Sequence, residues 1–132
     1  MNKKTLFLIL SMATTNIFTS EQVSDTELIK QILHELKLSF DDFQLNLLAS
    51  SCRTIEACLT QNPGGKNSEI FQGYPKDTQE KHLQKIAGFF ALVDHREKFL
   101  TTWRGENDGS NQAYYSKLLK EIADKLEKYT TP

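Results

Sequence analysis

Residues 77–103 read DTQEKHLQKIAGFFALVDHREKFLTTW and hold the densest helical pattern in the chain. Apolar residues recur there at steps of three and four: Leu83, Ile86, Phe90 and Val93. This spacing places a broad apolar stripe on a helix, wider than one neighbouring helix covers. It predicts a central helix, which begins at a capping box formed by residues 77–80 and ends at Arg104 and Gly105. In the alternative, the helix stops near His95, and the β-prone residues 99–103 form a short extended piece.

Three other segments show the same amphipathic periodicity. The first follows a capping box at residues 24–27 and extends to about Lys37. The second has an apolar seam: Leu45, Leu48, Cys52, Ile55 and Leu59. The last follows a cap at Ser110, and its stripe comprises Tyr115, Leu118, Leu119, Ile122, Leu126 and Tyr129. Residues 62–65, Asn-Pro-Gly-Gly, end the second helix, and the irregular segment 66–76 follows, with Ile70, Phe71 and Tyr74 as its expected anchors on the core.

Four amphipathic helices without a convincing β-hairpin predict an all-α fold, a four-helix bundle. Its topology depends on residues 39–48 and 96–110. A link along a helix of ~30 Å needs about nine extended residues. If both segments are largely helical, the remaining links are short and the order is up-down-up-down. If both are connections, they can cross the bundle and pair as a short ribbon, and the order is up-up-down-down. The β propensity of residues 99–103 is compatible with the second interpretation.

Residues 1–20 have the features of a secretory signal peptide. Lys3 and Lys4 precede a short apolar core at residues 5–13, which is too short to span a bilayer. The sequence therefore predicts a secreted, extracellular protein with one helical domain at residues 21–132. We expect no membrane insertion after the signal is removed.

The charge balance argues against two classes of partner. Removing the two lysines of residues 1–20 leaves 14 basic and 17 acidic residues, a net charge of −3. These charges are interspersed and form no basic stripe of the kind that nucleic acids or anionic membranes require. We therefore expect a protein partner.

Cys52 and Cys58 are the only cysteines. On one unbroken helix, their α-carbons would lie about 9 Å apart on nearly opposite faces. A disulfide requires roughly 7 Å or less. Three arrangements remain open: a bend that permits a bridge, two free thiols, or pairing between chains.

No pattern of catalytic or metal-binding residues is present. His34, His82 and His95 lie on separate segments without metal-ligand spacing and are expected at the surface or at the rim of the core. No phosphate-binding loop or nucleophile–base grouping can be assigned. The sequence thus predicts a protein that is not an enzyme and uses no cofactor or metal. We expect Trp103, the only tryptophan, in the core rather than at an interface.

Three segments carry a resemblance to a known family. Residues 27–33, ELIKQIL, are similar to its first helix, Cys52-Arg53-Thr54 opens a segment similar to its second, and residues 114–129 resemble its last. Together they resemble the short-chain four-helical cytokines, nearest to the interleukin-4/interleukin-13 group. The resemblance covers most of residues 24–130. It implies a secreted ligand that engages single-pass cell-surface receptors through its helix faces, without a cofactor or catalysis. The chain departs from the family in having fewer cysteines and no glycosylation sequon.

Residues that face away from the apolar stripes are the candidates for receptor binding. They are Glu27, Lys30, His34, Gln84, Lys117, Lys120 and Asp124. An alternative function is that of an exported bacterial helical binding protein, a periplasmic inhibitor or immunity-type protein, because the Asn2-Lys3-Lys4 opening also suits a bacterial export signal. A third, a carrier of small apolar ligands, would require a hollow core. The oligomeric state is left open by the sequence.

Overall fold

A computed structural model describes residues 24–106 and 109–130, apart from the side chains of residues 109, 110 and 130. The described residues form six α-helices and no strand. The helices are α1 (Asp25–Ser39), α2 (Asp42–Leu59), α3 (Glu69–Gln72), α4 (Lys76–Ala91), α5 (Arg96–Trp103) and α6 (Gly109–Thr130). The all-α prediction is confirmed. The predicted signal peptide, residues 1–20, lies outside the described residues.

The first two helices begin at caps. The backbone N–H of Glu27 donates to Ser24 Oγ at 3.1 Å, as the first capping box predicts. At α2, the N–H of Gln44 donates to Asp41 Oδ1 at 2.9 Å, and the N–H of Asp41 donates to Gln44 Oε1 at 3.0 Å. This reciprocal cap starts α2 at Asp42. Only residues 40 and 41 separate α1 from α2, so the interpretation of 39–48 as a crossing connection is wrong.

The predicted central helix is divided into two helices. α4 ends at Ala91, Asp94 adopts a left-handed φ of 62°, and α5 starts at Arg96. Phe99 folds back onto Phe90, with ring centroids 4.9 Å apart. The prediction of one helix over residues 77–103 is therefore wrong, because the apolar residues of its second half cover those of the first. The alternative, an end near His95, lies close to the observed break. Residues 99–103 are helical rather than extended, since packing outweighs their β propensity.

The segment between α2 and α4 is more ordered than predicted. It contains a 3₁₀ turn at Gly65–Asn67 and the one-turn helix α3, capped by Ser68, whose Oγ accepts from the N–H of Phe71 at 3.2 Å. Phe71 is buried as expected, but Ile70 is 37% exposed and does not anchor the segment. α4 has Pro75 at its N-cap, so the predicted cap at Asp77 lies within the first turn.

The first and last helices run parallel. Near the start of both, Tyr114 Oη donates to Asp25 Oδ1 at 3.1 Å. Near the end of both, Lys37 Nζ lies 4.1 Å from the centre of the Tyr129 ring. In both predicted topologies the first and last helices are antiparallel. The chain reverses direction at residues 92–95, and α5 runs back along α4. Because of this additional reversal, α6 runs in the same direction as α1.

The helices bury one continuous core. Its largest fully buried side chains are Ile32, Ile55, Ile86, Phe89, Phe90, Phe99, Trp103, Tyr115, Leu118, Leu119, Ile122 and Leu126. The expected core position of Trp103 is confirmed, since it is 2% exposed and meets Phe71 edge-on at 4.8 Å. Tyr129 was predicted in the apolar stripe of α6, but it is 41% exposed. None of the helices within residues 24–106 and 109–130 is long and apolar enough to cross a membrane.

Candidate functional site

The parallel helices α1 and α6 enclose a surface groove of about 470 Å³. We call it the α1–α6 groove. Its lining residues are Thr26, Ile29, Lys30, Leu33, His34, Lys37, Glu121, Lys125 and Tyr129. Ile29 and Leu33 are buried and form an apolar floor, while the polar side chains stand along the edges. A groove with an apolar floor and a polar rim can accept the apolar face of a partner segment.

The groove is locally positive. Three lysines, Lys30, Lys37 and Lys125, line it beside a single acid, Glu121. Among the described residues, no carboxylate lies within 4.0 Å of any of the three ammonium groups. The net charge of residues 21–132 is nevertheless negative. The sign of the charge in the groove therefore differs from that of the chain as a whole and suits acidic groups.

All seven receptor-binding candidates are exposed, but they do not form one surface. Lys30 and His34 line the α1–α6 groove. Glu27, Lys117 and Lys120 are exposed on the same two helices without lining it. The exposure of a residue follows from its position off the apolar stripe, whereas its grouping with other residues depends on how the helices are arranged.

Gln84 belongs to a different surface. It lines a smaller groove of about 190 Å³ between α1, α2 and α4. The walls of that groove are mostly apolar: Leu36, Phe40, Leu48, Phe89 and Leu92. Gln84 therefore shares no groove with the candidates of α6.

Asp124 forms part of an ion-pair cluster that sequence reasoning missed. Arg53 of α2 donates from Nη2 to Asp124 Oδ1 at 2.6 Å and to Glu127 Oε1 at 2.7 Å. Hydrogen bonds from Arg53 lower the pKa of both carboxyl groups. The same bonds raise the pKa of Arg53. This cluster joins antiparallel α2 and α6, so Asp124 already has a partner within the chain.

Three large apolar side chains are exposed near the link between α1 and α2. Leu38 is 67% exposed, Phe43 70% and Leu47 43%. Phe43 and Leu47 are one helical turn apart and therefore lie on the same outward face of α2. Exposed aromatic and aliphatic groups of this size are typical of contact surfaces.

His34 is exposed, and His82 and His95 are partly buried, as expected for histidines at the surface or at the rim of the core. His82 Nδ1 and Ser51 Oγ are 2.9 Å apart, and His95 Nδ1 and Tyr115 Oη are 2.8 Å apart. Burial lowers the pKa of His82 and of His95. Ser51 is only 1% exposed, so its contact with His82 satisfies a buried hydroxyl rather than presenting a nucleophile to solvent.

Both cysteines are free and buried. Of the three arrangements left open by the sequence, the structure has two unbridged thiols. Burial raises the pKa of Cys52. Burial also raises the pKa of Cys58, partly offset by a hydrogen bond with Ser68. These thiols act as small apolar groups of the core.

The described residues contain no group of three His, Cys, Asp or Glu side chains that could hold a metal ion. No family model matches the chain, and no curated protein or solved structure matches it either. The resemblance to the interleukin-4/interleukin-13 group therefore stays a prediction.

Proposed function

We propose that this chain is an exported helical protein that acts by binding a protein partner, and that the partner docks in the α1–α6 groove. The observation that carries the proposal is the combination of an apolar floor, Ile29 and Leu33, with a rim of three lysines and one acid. The partner is a segment that presents acidic side chains beside apolar ones, most simply an amphipathic helix. The protein acts in the extracellular space or in a periplasm, where the signal-like residues 1–20 would direct it.

Of the two binding functions expected from the sequence, the helix directions favour an exported binding protein over a receptor ligand of the cytokine type. A two-residue link between α1 and α2 is far shorter than the roughly nine residues that a crossing connection requires. The parallel arrangement of α1 and α6 differs from both predicted orders and therefore does not distinguish the two functions. One observation supports the alternative function, a receptor ligand: all seven candidate residues are exposed.

Photo-crosslinking tests the proposal. Benzoylphenylalanine is placed at position 34, inside the groove, and in a second protein at position 81, which is exposed on α4. Both proteins are incubated with intact cells and with extracellular or periplasmic fractions of the source organism. We expect a crosslinked product from position 34 alone, and excess unlabelled protein should suppress it.

Charge reversal supplies the matched control. K30E with K37E changes two groove lysines, whereas K117E with K120E makes the same charge change on the exposed face of α6 outside the groove. The K30E/K37E protein should fail to compete for the crosslink, and the K117E/K120E protein should compete fully. Equal competition by both, or competition lost only in K117E/K120E, would place the contact elsewhere.

Export is tested separately. The full chain is produced with its own N-terminus in a secreting host, and the mass of the released protein is measured. Loss of a segment of about 20 residues supports export by a cleaved signal. Retention of the intact chain inside the cell would contradict it.

A further inference from the structure

A third concave surface lies between α3, α4 and α5, away from the α1–α6 groove. It has a volume of about 370 Å³. We call it the Trp103 cavity. Its lining residues are Lys66, Phe71, Gln72, Lys76, Gln79, Glu80, Leu83, Leu100, Trp103 and Arg104. This volume lies within the ~300–1,000 Å³ typical of small-molecule sites.

The wall of the cavity is apolar and preformed. Phe71 and Trp103 are 6% and 2% exposed and pack edge to face at 4.8 Å. The carboxamide of Gln79 donates to the carbonyls of Phe71 and Tyr74, each at 3.0 Å, and thereby holds α3 against α4. Leu83 of α4 contributes a further apolar surface. An apolar chain can lie on this wall without a change in the backbone.

The rim of the cavity is cationic. Lys66, Lys76 and Arg104 line it, and Glu80 is the only acid among its lining residues. Arg104 is already paired with Glu106, at 3.0 Å from Nε to Oε2. Within the part of the chain that the structure describes, neither Lys66 nor Lys76 has a carboxylate within 4.0 Å. Two unpaired ammonium groups beside an apolar wall complement a ligand with one anionic head and one apolar tail.

The indole of Trp103 forms part of the cavity wall. Trp103 is only 2% exposed. Among the described residues, none accepts a hydrogen bond from its Nε1–H. Buried tryptophan N–H groups usually have an acceptor.

We propose that the Trp103 cavity binds a small amphipathic carboxylate, such as a medium-chain fatty acid. The alkyl chain lies against Phe71, Leu83 and Trp103, and the carboxylate meets Lys66 and Lys76. Because the α1–α6 groove lies on other helices, this activity is independent of partner binding at the groove. The chain then combines a surface for a protein partner with a separate site for a lipid-like anion.

Fluorescence tests the proposal directly, because Trp103 is the only tryptophan. The probe is 11-bromoundecanoate, whose bromine quenches indole fluorescence on contact. We expect saturable quenching, reversed by unbrominated undecanoate. Undecan-1-ol, which has the same chain without the charge, should compete about tenfold less well. Far-ultraviolet circular dichroism is recorded in parallel, and quenching accompanied by loss of helix would be detergent-like unfolding and would overturn the proposal.

Charge-matched variants locate the head group. K66Q with K76Q removes the two rim lysines, and K81Q with K98Q removes two exposed lysines of α4 and α5 that do not line the cavity. The first variant should bind the probe about tenfold more weakly, and the second should stay within about twofold of the unmodified protein.

Equal affinity for undecanoate and undecan-1-ol, or equal effects of the two variants, would overturn the assignment of a carboxylate. Because the comparison of acid and alcohol uses the unmodified protein, it holds even if a variant fails to fold. The K30E/K37E protein should bind the probe normally, which separates this result from the outcome for the groove.

Discussion

Gly65 offers a test of how the 3₁₀ turn is packed against the end of α5. Its φ is +72°, and a Cβ added there would lie 2.4 Å from the carbonyl oxygen of Trp103. Gly105 has nearly the same conformation, with a φ of +77°, but an added Cβ would meet nothing within 4 Å. G65A and G105A therefore form a matched pair that differs in the space available to the methyl group.

Two effects determine the expected loss of stability: the left-handed backbone conformation and the contact with the Trp103 carbonyl. An L-residue in the left-handed region costs about 1–2 kcal/mol, and both variants carry this cost. In G65A, the Trp103 carbonyl must also move by several tenths of an ångström or more, and such overpacking costs roughly 1–3 kcal/mol. We expect G105A to lower the free energy of unfolding by about 1–2 kcal/mol and G65A by about 2–5 kcal/mol. The larger loss is a substantial part of the ~5–15 kcal/mol that stabilises a typical domain.

Urea unfolding of both variants measures the difference. Helix content is followed by circular dichroism and the environment of the indole by fluorescence, so that a local change near Trp103 is distinguished from global unfolding. Equal destabilisation by G65A and G105A would refute the close approach of residue 65 to α5. A stable G65A protein with a shifted emission maximum would show that the turn moves away from the tryptophan instead.

Two further predictions concern groups that the fold buries. In the folded protein, the pKa of His82 and of His95 lies below the unfolded value near 6.5. The neutral histidines therefore contribute stability that is complete above pH 6.5 and is lost as the pH falls through their folded pKa. Urea unfolding between pH 8 and pH 5 should show this loss of stability. The loss should be smaller in H82Q and in H95Q but unchanged in H34Q, because His34 is exposed. The same dependence of stability on pH in all three variants would contradict the assignment to the two partly buried histidines. The two buried thiols should react slowly with a thiol reagent in the native protein and completely, with two equivalents per chain, in denaturant. Rapid native labelling, or fewer than two equivalents after denaturation without reductant, would contradict two buried free cysteines.

Local sequence patterns were sufficient for much of the helical structure. The caps at Ser24 and at Asp41 lie within three residues of the groups they bind, so their signals are visible in the sequence. The apolar seam of α2 is buried throughout for the same reason, since residues three and four apart share a face. The exposure of Lys30 and Lys117 follows from the same periodicity.

The β propensity of residues 99–103 left open an end of the central helix near His95, but nothing in the sequence indicated that a second helix, α5, follows and folds back. Residues 92–95, Leu-Val-Asp-His, contain no proline or glycine, and the stripe continues across them. What ends α4 is the packing of Phe99 and Tyr115 around Phe90, which the straight helix would not allow. Such contacts join residues that sequence periodicity does not relate.

The sequence by itself determined which segments are helical over most of their length and which side chains face outward, because both depend on neighbours within one or two turns. Only the tertiary structure decided the number of passes and the direction of α6. It also decided which charges share a surface. The groove brings Lys30 together with Lys125, and the ion pair joins Arg53 to Glu127, 74 residues apart. Such groupings depend on how whole helices pack, and no local pattern of residues specifies them.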